Sequence, residues 1–459
     1  MHITHNKKTI GLLLVLFLAL SSYGLWGQGY LATPSEARVT DSLVALRVEI
    51  DRAVLPANGP QKAIVKVTLD APPPPERIER PAVNLAIVLD RSGSMTGQKL
   101  EKAKQAAIEA LRYLGPQDIF SVVVYDHRVE TIVPAQSAAR VEWIEGRIRR
   151  IQSGGNTALF GGVSQGAVEV RKHLNRGYVH RIILLSDGLA NVGPRSPEDL
   201  GRLGAALIKE DISVTTVGVG MDYNEDLMTS LSQNSDGNAY FVESSKDLPR
   251  IFTAELGDVL SVVAKKVQLL IECPEGVRPL NIIGREGRIK GQLVELFLNQ
   301  LYGNQEKYAL VEVEISGGMS GENKEIALAK VFYVNPFTQR KETSAGRATA
   351  RFSKDRKEVR KSANINVFRD YQLNLNAMAQ EKAITLSDKG KKKEAVEELR
   401  TSAHQLRELG QEYDDDRLLD QAQEMEAQAA QIEQEGMTKK SRKMLRTKSF
   451  QMKNQQMRE

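Results

Sequence analysis

The sequence holds a single cysteine, Cys273, among its 459 residues. That excludes an internal disulfide, a cysteine-based zinc site and a Cys-x-x-Cys redox pair, and Cys273 reads as buried filler. The six histidines (His2, His5, His127, His173, His180 and His404) include no His-Glu-x-x-His and no paired spacing, so a zinc-hydrolase helix is missing. No Gly-x-Ser-x-Gly elbow surrounds Ser92 or Ser94. The stretch from Gly93 to Lys99 has neither the spacing of a phosphate-binding loop nor a hydroxyl residue after the lysine. Only one apolar run, Ile10–Trp26, approaches a spanning length. An excess of one charge is also lacking: 63 basic residues face 58 acidic ones, for a net +5. Eight of those basic residues lie between Met437 and Glu459 beside one acid, which leaves −2 for the rest of the chain. A polyanion reading therefore rests on the tail alone, and nucleic acid is not the expected partner of the body.

What is present begins with a leader. Lys7 and Lys8 precede an apolar run from Ile10 to Leu20, and Ser21, Ser22, Gly24 and Gly27 follow it. This predicts a secretory signal peptide over residues 1–29 and a secreted or periplasmic protein, with an uncleaved inner-membrane anchor as the alternative. In residues 36–71, Val44–Ile50 and Lys62–Leu69 alternate apolar and polar side chains as half-buried strands do, and Pro72 to Pro75 form a stiff connector.

From residue 82 to 264 the pattern changes. Continuous apolar runs at Ala82–Leu89, Ile119–Tyr125, Arg181–Leu185 and Ser213–Val219 alternate with amphipathic stretches, the last of them Leu248–Val263. Strands apolar on both faces and separated by helices specify an α/β fold with a doubly wound parallel sheet. Over 266–340 the alternation stops, and Val267–Ile271, Leu293–Leu298, Tyr308–Ile315 and Glu325–Tyr333 read as antiparallel strands. The two early strands need partners, so they are expected to join these in one β-sandwich into which the α/β domain is inserted. Residues 364–436 turn helical, with one stripe at Phe368, Tyr371, Leu375, Met378 and Leu386. Val396, Leu399, Ala403 and Leu406 make a second stripe, and Leu418, Ala422, Met425, Ala429 and Ile432 a third. The expectation is a helical hairpin with an added helix. One turn in it is similar to a tetratricopeptide unit, and 437–459 is left as a basic tail that is either solubilising or in contact with a membrane surface.

The chemistry gathers where a parallel sheet opens its strand-end loops. Asp90 ends the first strand, and Ser92 and Ser94 follow at alternate positions around Gly93. Gly154-Gly155-Asn156-Thr157 presents a hydroxyl before a helix, and Ser186-Asp187-Gly188 follows the third strand. Ligands in such sheets bind beyond the carboxyl ends of the strands, at the point where strand order reverses. Hard oxygen donors of this kind suit magnesium, with calcium or manganese as alternatives, and not zinc. Each loop alone also fits a helix cap. A phosphatase of the haloacid dehalogenase type needs a second carboxylate two residues after the first, and Ser92 stands there instead.

Asp-x-Ser-x-Ser after a buried strand, a threonine some sixty residues on and Ser-Asp-Gly after the next long strand together resemble the von Willebrand factor type A (VWA) domain. The resemblance extends to bacterial relatives of the inter-alpha-trypsin inhibitor heavy chains and of the calcium-activated chloride channel regulators. It implies that Asp90, Ser92, Ser94, Thr157 and Asp187 form a metal-ion-dependent adhesion site. It further implies a non-enzymatic module in which a divalent ion captures an Asp or Glu carboxylate of another protein, with the last helix of the domain coupled to capture. A second reading makes the metal structural and assigns partner binding to the helical C-terminus.

Overall fold

The computed structural model describes residues 42–456, apart from 58, 77, 78 and 176. The expected signal peptide lies outside the described residues. Among the described residues, no helix is long and apolar enough to cross a membrane.

Two sheets form the β-sandwich. In the four-stranded sheet the order is Ala45–Ile50, Gln61–Asp70, Glu306–Ile315, Val277–Ile283, all antiparallel. In the six-stranded sheet it is Arg288–Lys290, Leu293–Tyr302, Val262–Glu272, Asn323–Val334, Lys341–Ser353, Val54–Pro56. The two early strands thus join strands more than two hundred residues later, and Val65, Val67 and Leu69 share one core with Leu269, Leu296, Val311 and Val331. Alternation made these strands legible, because the side chains facing this core are uniformly apolar, while the other face of Gln61–Asp70, covered by the helix Ile365–Asp388, mixes Ile64 with Lys66 and Thr68.

Between them the chain builds a second six-stranded sheet in the order Val129–Ser137, Ile119–Tyr125, Val83–Asp90, Val179–Ser186, Ile212–Val219, Ala239–Val242. Every pairing is parallel except that of Val129–Ser137, which runs antiparallel at one edge. All eight residues of Val83–Asp90 are buried, because helices cover both faces. On one side Gln98–Arg112, Val141–Arg149 and Leu248–Leu260 pack; on the other lie Leu159–Arg171, Pro197–Leu207 and Glu225–Asn234. The chain leaves Val83–Asp90 toward one edge and returns to its other side at Val179–Ser186, so strand order reverses between these two. Their carboxyl ends carry Asp90 and, one residue past the strand, Asp187.

Three expectations need correction. The last helix of this domain ends at Leu260, and Val262 and Val263 already belong to the strand Val262–Glu272, so the joint to the sandwich is shorter than the periodicity implies. The basic tail is a helix, Lys439–Lys453, capped by Thr438, whose Oγ1 accepts from the Ser441 amide. It follows Ile365–Asp388, Lys392–Tyr413 and Asp416–Glu435 and packs back against the first of these and against the α/β domain.

The second and third predicted stripes are buried as expected. The first is not: Met378 is exposed, while Asn374, Asn376 and Gln380 of the same helix are buried. That helix is covered by the sandwich, by its neighbour and by the C-terminal helix, so more than one of its faces is inside and a single stripe does not describe it.

Candidate metal centre

Asp90 is fully buried at the end of its strand. Its Oδ1 accepts the Ser92 amide at 2.8 Å, and its Oδ2 accepts the Ser186 hydroxyl at 2.7 Å. Both donors are neutral. Burial, helped by the charge of Asp187 and opposed by the hydrogen bonds from Ser92 and Ser186, pushes the Asp90 carboxyl up to about 6. A buried carboxylate held only by neutral donors is electrostatically suited to a cation.

Asp187, also fully buried, accepts the Ser94 hydroxyl at 2.7 Å on Oδ1 and the Lys99 ammonium at 2.5 Å on Oδ2. Ser92 Oγ and Ser94 Oγ stand 3.1 Å apart. The Gly154–Thr157 loop is stitched to the Asp90–Ser94 loop by Gly154 N to Arg91 O at 2.6 Å and Gly93 N to Gly155 O at 3.0 Å. Glycine is needed there for close approach, since a β-carbon on Gly154 would meet Asp126 Oδ2 at 1.9 Å and one on Gly155 would meet His127 Nδ1 at 2.4 Å. Thr157 is held by Asn191, whose Oδ1 accepts the Thr157 amide at 2.8 Å and whose backbone amide donates to the Thr157 carbonyl at 3.1 Å.

Gly188 locates the centre of the arrangement. A β-carbon there would lie 3.3 Å from Ser94 Oγ, 3.4 Å from Thr157 Oγ1 and 3.9 Å from Ser92 Oγ. Three hydroxyls from two loops therefore converge on the space beside Gly188, next to the two carboxylates. All five predicted positions are brought together, at the reversal of strand order. The donor set of two carboxylates and three hydroxyls carries −2 and consists of hard oxygens, which fits magnesium, calcium or manganese.

Three further residues belong to the site. Ser186 orients Asp90, Asn191 orients Thr157, and Lys99 pairs with Asp187. Ser186 had a signal in its place at the end of a strand, next to Asp187. For Asn191 and Lys99 there was none, because their partners are 34 and 88 residues away in sequence.

Comparison with known proteins agrees with this geometry. The von Willebrand factor type A domain family matches residues 84–254. An uncharacterized protein of Synechocystis sp. is 27% identical over 264 residues, covering 55% of this chain and 62% of that protein. Inter-alpha-trypsin inhibitor heavy chain H4 of Homo sapiens is 27% identical over 219 residues, 46% of this chain and 23% of that one. The chain thus spans less than two thirds of the length of these curated relatives. Among solved structures, a von Willebrand factor type A protein from Catenulispora acidiphila superposes with a TM-score of 0.65 at 18% identity. The superposition covers 82% of this chain and 89% of that one, so the shared fold extends beyond the α/β domain. Family match, sheet order and strand-end loops agree that residues 84–254 are a von Willebrand factor type A domain.

Proposed function

We propose that this protein is a non-enzymatic binding module that captures another protein through a divalent cation, most simply magnesium, held by Asp90, Ser92, Ser94, Thr157 and Asp187. The observation that carries this reading is the convergence of three hydroxyls and two buried carboxylates beside Gly188. When bound, the ion supplies an electrophilic position for an outside oxygen, such as an Asp or Glu carboxylate of the partner. The chain's own residues do the rest. Asp90 and Asp187 supply the charge, Ser186 and Asn191 fix the orientation of Asp90 and Thr157, and the Arg91–Gly154 and Gly93–Gly155 hydrogen bonds keep the loops together. Orienting groups of this kind commonly set metal affinity as strongly as the ligands do. The leader read from Lys7 to Gly27 supports a secreted or periplasmic setting, which N-terminal sequencing of the mature protein would test.

The functional test is recovery of partner proteins from the native envelope fraction with and without EDTA, comparing wild type with Asp187→Ala. A partner retained by the wild type with metal, and lost with EDTA or in the variant, supports the reading. Recovery of the same partner in every condition overturns it and moves binding to the helical C-terminus.

A further inference from the structure

Five cations of the C-terminal helix Lys439–Lys453 pair with carboxylates of the α/β domain. Lys439 Nζ lies 2.9 Å from Asp222 Oδ1, and Lys440 Nζ lies 2.8 Å from Glu243 Oε1. Arg442 bonds Glu225 and also Asp226, the latter at 2.6 Å, while Arg446 reaches Asp226 at 2.8 Å. Lys443 is buried. Its ammonium stands 2.5 Å from Glu225 Oε2, donates to the Tyr223 carbonyl at 2.7 Å and lies 4.4 Å from the centre of the Tyr223 ring. Farther along, Gln451 and Gln456 bond the carbonyl and the amide of Ala239, at the end of the edge strand. The exposed pairs at Lys439 and Lys440 contribute little, and the buried Lys443 and half-buried Arg442 hold the helix.

The carboxylates on which it sits adjoin the metal centre. Asp222 and Tyr223 lie in the loop after Ile212–Val219, at the same sheet end as Asp90 and Asp187. The Tyr223 ring covers Gly218, where a β-carbon would come within 2.2 Å of it, and Gly218 is in register with Ser186, the residue that holds Asp90. A β-carbon on Gly220 would lie 3.8 Å from the Lys99 ammonium. Lys99 contacts Asp187, and its charge also reaches Asp222, two residues after Gly220. The hydrogen bond from Lys439, with the charges of Lys439, Lys99 and Lys443, holds the Asp222 carboxyl below its usual range.

We propose that the C-terminal helix regulates the metal centre in cis: while docked, its Lys439 pairs with Asp222 and leaves Lys99 on Asp187, where Lys99 competes with a divalent ion. Release of the helix frees Asp222 to draw Lys99 away, and the metal binds more tightly. By thermodynamic reciprocity the metal loosens the helix by the same factor. The inference rests on the metal-binding reading of the site above.

The test uses the full chain and MgCl2 as probe, with calorimetric titration and hydrogen–deuterium exchange of the amides of residues 439–453. The double variant Arg442→Gln/Lys443→Gln is expected to bind Mg2+ about fivefold more tightly than wild type, the low end of usual couplings. Mg2+ is expected to speed exchange of the wild-type helix by a similar factor. Lys99→Gln should bind more tightly and abolish the effect of Mg2+ on the helix, a readout that remains if the double variant does not fold. Lys448→Gln removes a cation paired with Glu424, away from the metal centre, and should keep wild-type affinity. Equal affinities in wild type and variants, with exchange indifferent to Mg2+, overturn the coupling alone. Equal tightening by Lys448→Gln overturns it in favour of a net-charge effect. Absence of Mg2+ binding by the wild type overturns both the coupling and the metal site.

Discussion

Ser186 donates its hydroxyl to Oδ2 of Asp90 at 2.7 Å from the last position of the neighbouring parallel strand. Both residues are fully buried, so neither has water as a substitute partner. Ser186→Ala is expected to weaken Mg2+ binding by about 10- to 100-fold in calorimetric titration, the usual scale for losing an orienting partner. It should also cost about 1–3 kcal/mol of metal-free stability, because an oxygen of a buried carboxylate loses its donor. Unchanged affinity would show that Ser186 does not orient a metal ligand.

Gly188→Ala places a methyl group in the space on which Ser92, Ser94 and Thr157 converge. Its nearest neighbours would be the hydroxyls themselves, at 3.3 and 3.4 Å, so the fold can absorb the group while the site cannot. The expected outcome is at least about a tenfold loss of Mg2+ affinity. The urea midpoint measured without metal should stay close to that of wild type.

His180 sets a pH dependence. Its Nε2 faces the Asn175 carbonyl at 3.1 Å and its Nδ1 faces the Asn84 amide nitrogen at 3.3 Å, an arrangement that suits a neutral ring with the proton on Nε2. Burial, followed by the charge of Lys265, lowers its pKa to about 4, against a smaller opposing influence of Asp211. The unfolded chain therefore takes up this proton near its ordinary value of about 6.5, while the folded chain does not until about 4. Stability from this group is present above pH 6.5 and falls, by up to about 3 kcal/mol, as pH drops from there to 4. Comparing urea midpoints of wild type and His180→Gln at pH 7 and pH 4.5 isolates it, because other titrations are shared; a parallel fall in the two proteins would refute it.

Arg181 and Glu255 tie the last helix of the VWA domain to the sandwich. Arg181 is wholly buried and donates to Gln300 Oε1 at 2.9 Å and to the Tyr302 hydroxyl at 2.7 Å, both on a sandwich strand. Glu255 lies 3.5 Å from Arg181 and accepts from Thr215, Asn238 and Tyr240. Arg181→Met leaves the buried Glu255 carboxylate without its cation and should cost about 3–5 kcal/mol in urea unfolding. Arg181→Met/Glu255→Gln should recover a substantial part of that loss, since the unpaired charge is gone. No recovery would mean that packing of the arginine, not charge pairing, holds the joint.

Legibility followed burial. Val83–Asp90 and Ile119–Tyr125 are buried along their whole length and are near-continuous apolar runs, and Ile212–Val219, equally buried, adds small and β-branched residues to its valines, so the sheet could be read from them. Val129–Ser137 and Ala239–Val242 lie at the edges of the same sheet, partly exposed: the first is broken by polar residues and a proline, and the second, Ala-Tyr-Phe-Val, is apolar but only four residues long. Lys341–Ser353 is exposed over much of its length and offered no apolar signal. The five candidate positions were legible because they all lie in recognisable loops at or just past strand ends or at a helix start. Asn191 and Lys99 were not, since their roles depend only on which loop folds over which.

Short-range patterns specify a doubly wound α/β domain, a largely antiparallel sandwich built from both of its flanks, and the oxygen donors gathered at the strand ends. These follow from local periodicity and loop chemistry, which are properties of short segments. The tertiary structure decided the fate of the charged tail. A run of cations is read as solvated unless its counter-charges are known; Lys443 pairs with a carboxylate more than two hundred residues away, and Arg442 with two such carboxylates besides Asp388. Only folding brings Glu225 and Asp226 under the C-terminal helix, and only there does a basic segment come beside the strand-end loops of the candidate site.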